Sequence, residues 1–312
     1  MAAPDVIKLR AEFKGPHEIV KTSDGKTIFL RHWEGARPDL AILIFHGITA
    51  YSEPYGKLLA EEVARAGFNV FGMDLRGHGL SDGTRGDYPS RERLSKDLCE
   101  TIAFLKGKFP RVVVLGHSLG ALSAVAAVNS CGSNVDGLIL LSAGRKIRPG
   151  AYSKPSAGAA LKTLLGIALL PGSRLIEYKR RGMGGLDDPL FNFHYSARFY
   201  STMYGTSAMS VVRMAGKNLI ESPNLILSGR PDIPVLVGVG DQDELFPVDS
   251  AKELMDSIGS PRKEFIVIPG GRHAVFPEGS WGPLIAWLNK NYPRPGSKLS
   301  VGSLSGDKGA PI

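Results

Sequence analysis

Apolar residues along this chain fall into short unbroken runs rather than long stripes. TIFLRHW (27–33), LAILIF (40–45), FNVFGM (68–73), VVVL (112–115), LILL (138–141), VLVGV (235–239) and EFIVI (264–268) are separated by polar, turn-rich segments. The first follows Ser23-Asp24-Gly25, which is hairpin chemistry. The later runs are continuously apolar, as strands covered on both faces must be. Between them the pattern shifts to helical spacing at about 54–66, 91–107, 119–130, 248–258 and 281–290. Strand and helix alternating in this way predict an α/β fold with a mostly parallel central sheet and helices on both faces.

The alternation stops between about 144 and 232. That stretch is rich in Gly, Pro and Arg and reads as helices and loops inserted as a lid. The predicted organisation is therefore a first core part (1–143), a helical lid (144–232), a second core part (233–293) and a disordered Gly/Ser/Lys-rich tail (294–312). A chain of 312 residues is ample for one such core.

Charge sharpens the picture of the insertion. The chain carries a formal net charge of +8, and residues 144–231 hold thirteen Lys or Arg against only Glu177, Asp187, Asp188 and Glu221. A basic, acid-poor insertion suits anionic surfaces or substrates. No basic stripe interleaved with aromatics accompanies it, which argues against nucleic acid. Within it, AALKTLLGIALL (159–170) is apolar on nearly every face, so it packs under the lid or dips into an interface. Lys179-Arg180-Arg181 would then hold the lid near anionic lipid, a peripheral membrane contact. No apolar run reaches 18 residues, and the opening MAAPDVIKLR has no apolar core of the signal-peptide kind. Cys99 and Cys131 form no metal or redox spacing and read as two free thiols in a reducing, cytoplasmic compartment.

The candidate chemistry starts at Gly116-His117-Ser118-Leu119-Gly120. This G-x-S-x-G follows an apolar strand directly and opens the small-residue helix ALSAVAAV. Such an elbow exposes the serine at the carboxyl edge of the sheet, and its glycines let strand and helix approach. A serine nucleophile needs a base and the base an orienting acid, in the chain order Ser, acid, His. Of seven histidines only His273, in VIPGGRHAVFPE, lies beyond the late strand that must supply the acid. That strand ends in GVGDQDELFP, which offers Asp241, Asp243 and Glu244; Asp243 is favoured and Asp241 is the alternative, the other capping the loop or next helix. Two oxyanion donors are expected: the Leu119 amide at the helix start and the Ile48 amide after His46-Gly47. His46 and His117 read as structural neighbours.

Taken together, HGITAYSEPY, MDLRGHGLSDG, GHSLG, GVGDQDELFP and PGGRH resemble the α/β-hydrolase superfamily over roughly residues 16–292. The loop DLRGHGLSDG is similar to that of the monoacylglycerol lipase, lysophospholipase and serine-aminopeptidase-like branch. The resemblance implies the α/β-hydrolase fold, Ser118 as nucleophile, His273 as base, Asp243 as acid, and the Ile48 and Leu119 amides as oxyanion hole. It makes Asp74, Arg76 and His78 structural, and it implies no metal or organic cofactor. The function expected is a serine carboxylesterase cleaving monoacylglycerols or similar single-chain lipid esters. A prolyl-aminopeptidase-type peptidase is the alternative, disfavoured by the few acids in the lid; a non-catalytic binding protein of the same fold is the third reading.

Overall fold

The computed structural model describes residues 5–151, 158, 169–178, 187–204 and 232–294. An eight-stranded sheet runs through it in the order β1 (His17–Lys21), β2 (Thr27–Trp33), β4 (Asn69–Met73), β3 (Leu40–Phe45), β5 (Arg111–His117), β6 (Gly137–Leu141), β9 (Val235–Gly240), β10 (Lys263–Ile268). β2 is antiparallel to both β1 and β4; every other pairing is parallel. All seven predicted strands are present, and the mostly parallel sheet matches the expectation.

The continuous apolar runs follow from helices on both faces. In β5, Val112 and Val114 join one buried cluster and Val113 and Leu115 the other; in β3, Ala41, Leu43 and Phe45 alternate with Leu40, Ile42 and Ile44 in the same way. The first cluster is closed by α3 (Arg91–Lys106), α4 (Gly120–Ser130) and α6 (Val248–Ser257). The second is closed by α2 (Glu61–Arg65, preceded by a π-turn at Gly56–Ala60) and α7 (Gly282–Asn291). Each fully buried Val or Leu contributes about 1.5–3 kcal/mol, so no polar residue is tolerated within VVVL. The amino-terminal helix α1 (Val6–Glu12) was not anticipated: none of its residues is buried, and Arg10 fastens it to the Leu80 carbonyl at 2.7 Å and to Asp82 at 2.9 Å.

Between β6 and β9 the described residues form a two-residue ribbon, β7 (Ile176–Glu177) with β8 (His194–Tyr195), and the helix α5 (Ala197–Tyr204). Most of AALKTLLGIALL, the Lys179-Arg180-Arg181 cluster and the tail from 295 lie outside the described residues. Among the described residues no helix is long and apolar enough to cross a membrane.

The expectation of two free thiols is corrected. Cys99 of α3 and Cys131, which caps α4, form a disulfide with their Cα atoms 5.1 Å apart. They are 32 residues apart in sequence, and only the packing of α3 along α4 brings them together. The cytoplasmic reading loses the thiol argument that supported it.

Candidate active site

The parallel strands deliver their following loops to one edge, and the predicted chemistry collects there. β5 is central, paired with β3 and β6, and Ser118 is the first residue past it. Its backbone is left-handed (φ 54°), strained for a non-glycine residue. Its N–H donates to the Leu141 carbonyl of β6 at 3.0 Å, and α4 begins two residues later. The flanking glycines make this turn sterically feasible. A Cβ at Gly116 would lie 2.4 Å from the Gly120 carbonyl oxygen, and one at Gly120 would lie 2.0 Å from that of Phe45.

His273 reaches the elbow from the loop after β10, and Asp243 lies in the loop after β9. The Ser118 hydroxyl is 2.9 Å from His273 Nε2, and His273 Nδ1 is 3.1 and 3.2 Å from the two Asp243 oxygens. Asp243 is fully buried, and its Oδ1 also accepts the amides of Leu245 (2.8 Å) and Phe246 (2.9 Å). Burial alone would raise its pKa; the His273 ring and those amides outweigh it, so the carboxyl is held below its ordinary value. A carboxylate there orients the imidazole with Nδ1–H toward the acid and the Nε2 lone pair toward Ser118.

Asp241 faces the other way and accepts the Gly270 amide at 2.8 Å, tying the β9 and β10 loops together. Glu244, third acid of the set, accepts the His273 amide at 2.9 Å and contacts Arg272 at 3.3 Å. Arg148 Nε donates to the Asp243 carbonyl at 2.9 Å. These backbone anchors were not anticipated: a carboxylate or guanidinium holding a main-chain group leaves no spacing signature.

The loop after β3 holds the second half of the site. Gly47 N–H donates to Tyr55 Oη at 2.8 Å, and the Gly47 carbonyl accepts from His46 Nδ1 at 2.9 Å. Thr49 N–H donates to Tyr195 Oη at 2.7 Å. The Ile48 and Leu119 amides donate to no group among the described residues. Gly47 lies against the elbow: a Cβ built on it would be 3.3 Å from the Ser118 Cβ. The loop carrying the Ile48 amide thus passes beside the serine at Gly47, and the Leu119 amide follows the serine at the helix start.

The remaining histidines of the motifs hold backbone. His117 Nδ1 is 2.7 Å from Tyr55 Oη, and its Nε2 is 2.7 Å from the His273 carbonyl. His46 Nε2 accepts the Leu75 amide at 3.2 Å, and burial depresses its pKa to about 4, so the ring is neutral near pH 7. Asp74 is fully buried and accepts the amides of Ser52 and Leu80, each at 2.7 Å. Arg76 pairs with Asp97 at 2.7 Å. Among the described residues no group of three or more His, Cys, Asp or Glu could hold a metal ion.

Residues 36–280 match the sequence pattern of the family described as serine aminopeptidase, S33. The chain is 27% identical over 274 residues to protein YnbC of Escherichia coli K12, covering 82% of this chain and 43% of that one. It is 25% identical over 271 residues to a monoglyceride lipase of Rattus norvegicus, covering 84% of each. Its fold is similar to that of a Paleococcus ferrophilus monoacylglycerol lipase, with a TM-score of 0.60 at 23% identity, covering 85% of this chain and 99% of the other.

Proposed function

The chain belongs to the serine aminopeptidase S33 family, and from that membership and the site geometry we propose that it is a serine hydrolase cleaving carboxylic esters, most closely of the monoacylglycerol lipase type. The observation that carries this reading is the unbroken hydrogen-bond sequence Ser118 Oγ, His273 Nε2, His273 Nδ1, Asp243. Ser118 Oγ bonds to the substrate carbonyl carbon while its proton passes to His273 Nε2. The Ile48 and Leu119 amides receive the resulting oxyanion. The carbon–oxygen bond to the alcohol then breaks, and the alcohol leaves with the proton from Nε2. Water enters by the same route, its proton going to Nε2, and the acid leaves as Ser118 regains its hydrogen. Asp243 stays ionised throughout and stabilises the imidazolium.

A single-chain lipid ester fits the surroundings. The likeness to the rat monoglyceride lipase supports it over nearly the whole chain. Leu169 and Leu170, at the end of the apolar stretch of the insertion, are 76% and 60% exposed. In this reading residues 144–232 act as a lid whose basic face meets anionic lipid headgroups. The aminopeptidase alternative needs a free carboxylate to hold a substrate amino terminus. Asp188 is committed instead: its oxygens accept Tyr51 Oη at 2.7 Å and the Leu190 amide at 2.8 Å.

The test is kcat/KM across glycerol and p-nitrophenyl monoesters of two to sixteen acyl carbons, with Ser118→Ala as the blank. Each buried methylene is worth about 0.8 kcal/mol, so a rise of roughly fourfold per carbon toward medium or long chains is expected. A maximum at two to four carbons would refute the lipid assignment, and turnover of proline arylamides without ester turnover would replace it with the peptidase.

A further inference from the structure

The loop carrying the Ile48 amide contains a second strained residue. Thr49 has φ 69°, a conformation that a β-branched residue adopts only when its surroundings hold it there. Both of its backbone groups are held from one direction. Its N–H donates to Tyr195 Oη at 2.7 Å, and its carbonyl accepts the Asn192 amide at 2.9 Å. Tyr195 and Asn192 both come from the segment between β6 and β9, some 140 residues downstream.

The bond to Tyr195 fixes a particular plane. The Ile48 carbonyl and the Thr49 N–H belong to one peptide unit, and the Gly47 carbonyl and the Ile48 N–H to the one before it. His46 pins the Gly47–Ile48 unit through the Gly47 carbonyl; Tyr195 pins the Ile48–Thr49 unit through the Thr49 N–H. Ile48 lies between two clamped planes, so its own N–H has a set direction. Release of either plane would let the amide rotate away from the serine.

Tyr195 is itself immobilised. It is fully buried, its ring is 4.5 Å from that of Phe199, and it stacks on His78 at 5.8 Å. Its oxygen is 3.4 Å from His78 Nε2, while His78 Nδ1 is 3.2 Å from the Arg76 carbonyl. Nδ1 donates there and Nε2 accepts, so the tyrosine hydrogen points to His78 and its lone pairs to Thr49. Next in sequence, Ser196 locks onto the core: its amide donates to the Gly86 carbonyl at 2.9 Å and its hydroxyl to Asp87 at 2.5 Å.

We propose that Tyr195 is a positioning residue for the oxyanion loop, through which the inserted segment, docked on the core, aims the Ile48 amide at the reacting carbonyl oxygen. The inference rests on the serine-hydrolase reading above and adds to it a dependence of catalysis on a side chain of the insertion that touches no substrate.

The experiment compares wild type with Tyr195→Phe on one ester and on two inhibitors carrying its acyl chain. One inhibitor is a trifluoromethyl ketone, to which Ser118 adds to give an oxyanion; the other is the methylene analogue that cannot add. A misdirected donor weakens only states that carry the oxyanion. Expected are a fall of about tenfold in kcat, KM within about twofold, a trifluoromethyl ketone constant weakened about tenfold, and methylene-analogue binding unchanged. Tyr88→Phe serves as the stability control: it removes an equally buried hydroxyl, 2.7 Å from Asp97, and is expected to leave both constants unchanged. Amide hydrogen exchange on the wild type tests the bond without any variant, and the Thr49 amide is expected to be protected like the core strands. An unchanged ketone constant in Tyr195→Phe, equal weakening of both inhibitors, or rapid exchange at Thr49 overturns the inference. No inhibition of the wild type by the ketone would instead overturn the hydrolase reading, and this inference with it.

Discussion

Ser118 and Thr49 both adopt left-handed backbone at the carboxyl edge of the sheet, at φ 54° and 69°, yet the chain holds them by different means. Ser118 is held by its neighbours. The strand before it, the helix after it, the flanking glycines and the Leu141 carbonyl of the adjoining strand determine the turn. Thr49 is held from a distance, by a tyrosine and an amide of the segment between β6 and β9, and the residues just before it by His46 and Tyr55. The elbow is thus part of the sheet, and its strain is offset by the packing of β5 and α4. The loop after β3 is an assembly of parts, and its geometry is only as good as the hydroxyls and rings that meet it.

The largest test of the elbow half concerns its acid. Asp243→Asn is expected to lower kcat about 10⁴-fold, because an amide in place of the carboxylate favours the wrong imidazole tautomer. Asp241→Asn should cost less than about threefold, since among the described residues the Asp241 carboxylate holds the Gly270 amide and no group of the Ser118–His273–Asp243 array. Comparable losses in the two would break the assignment of Asp243.

Steric pressure on the elbow comes next. In Gly120→Ala the new Cβ would meet the Phe45 carbonyl oxygen, so α4 and Ser118 must shift by on the order of 1 Å. A displacement of that size is expected to cost about 10²-fold in kcat/KM. Wild-type activity in that variant would show that the elbow is softer than the close approach implies.

The loop after β3 has its own signature, in stability against pH. His46 titrates near 4 in the folded chain, against 6.5 when unfolded. Between those values the unfolded chain binds a proton that the folded chain does not. The contribution of a neutral His46 is therefore fully present above pH 6.5, falls as pH drops from 6.5 to about 4, and levels off below. The loss amounts to about 3 kcal/mol. Denaturant titrations across that window, repeated in His46→Asn, measure it; an identical pH profile in the variant would contradict the role given to His46.

The contrast also explains what could be read in the residues alone. Continuous runs such as VVVL and LAILIF announce strands because two helical layers forbid any polar residue in them. Ser118 stood out as a candidate because its turn is local, so its constraints appear as adjacent glycines. His273 stood out by elimination, since no other histidine follows the late strands. Among three neighbouring acids, the turn after β9 decides which faces the histidine: Asp243 N–H bonds the Gly240 carbonyl and Asp241 is turned to Gly270. The anchoring roles of Tyr55, Tyr195 and Glu244 gave no such signal, because each serves a main-chain group, at separations of 8, 146 and 29 residues, and any residue may carry that group. The same holds for the Cys99–Cys131 disulfide, which depends on how α3 lies along α4. Helix α1 buries none of its residues, so it had no apolar face to announce it.

The central claim is that Ser118 forms an acyl-enzyme. Rapid mixing of the protein with a p-nitrophenyl ester, read as p-nitrophenol released before steady state and followed by mass analysis of the acid-quenched chain, tests it most directly. The account predicts a burst approaching one equivalent, an acyl mass addition on the peptide carrying Ser118, and neither in Ser118→Ala. Steady ester turnover by Ser118→Ala, or acylation found on another residue, would contradict it.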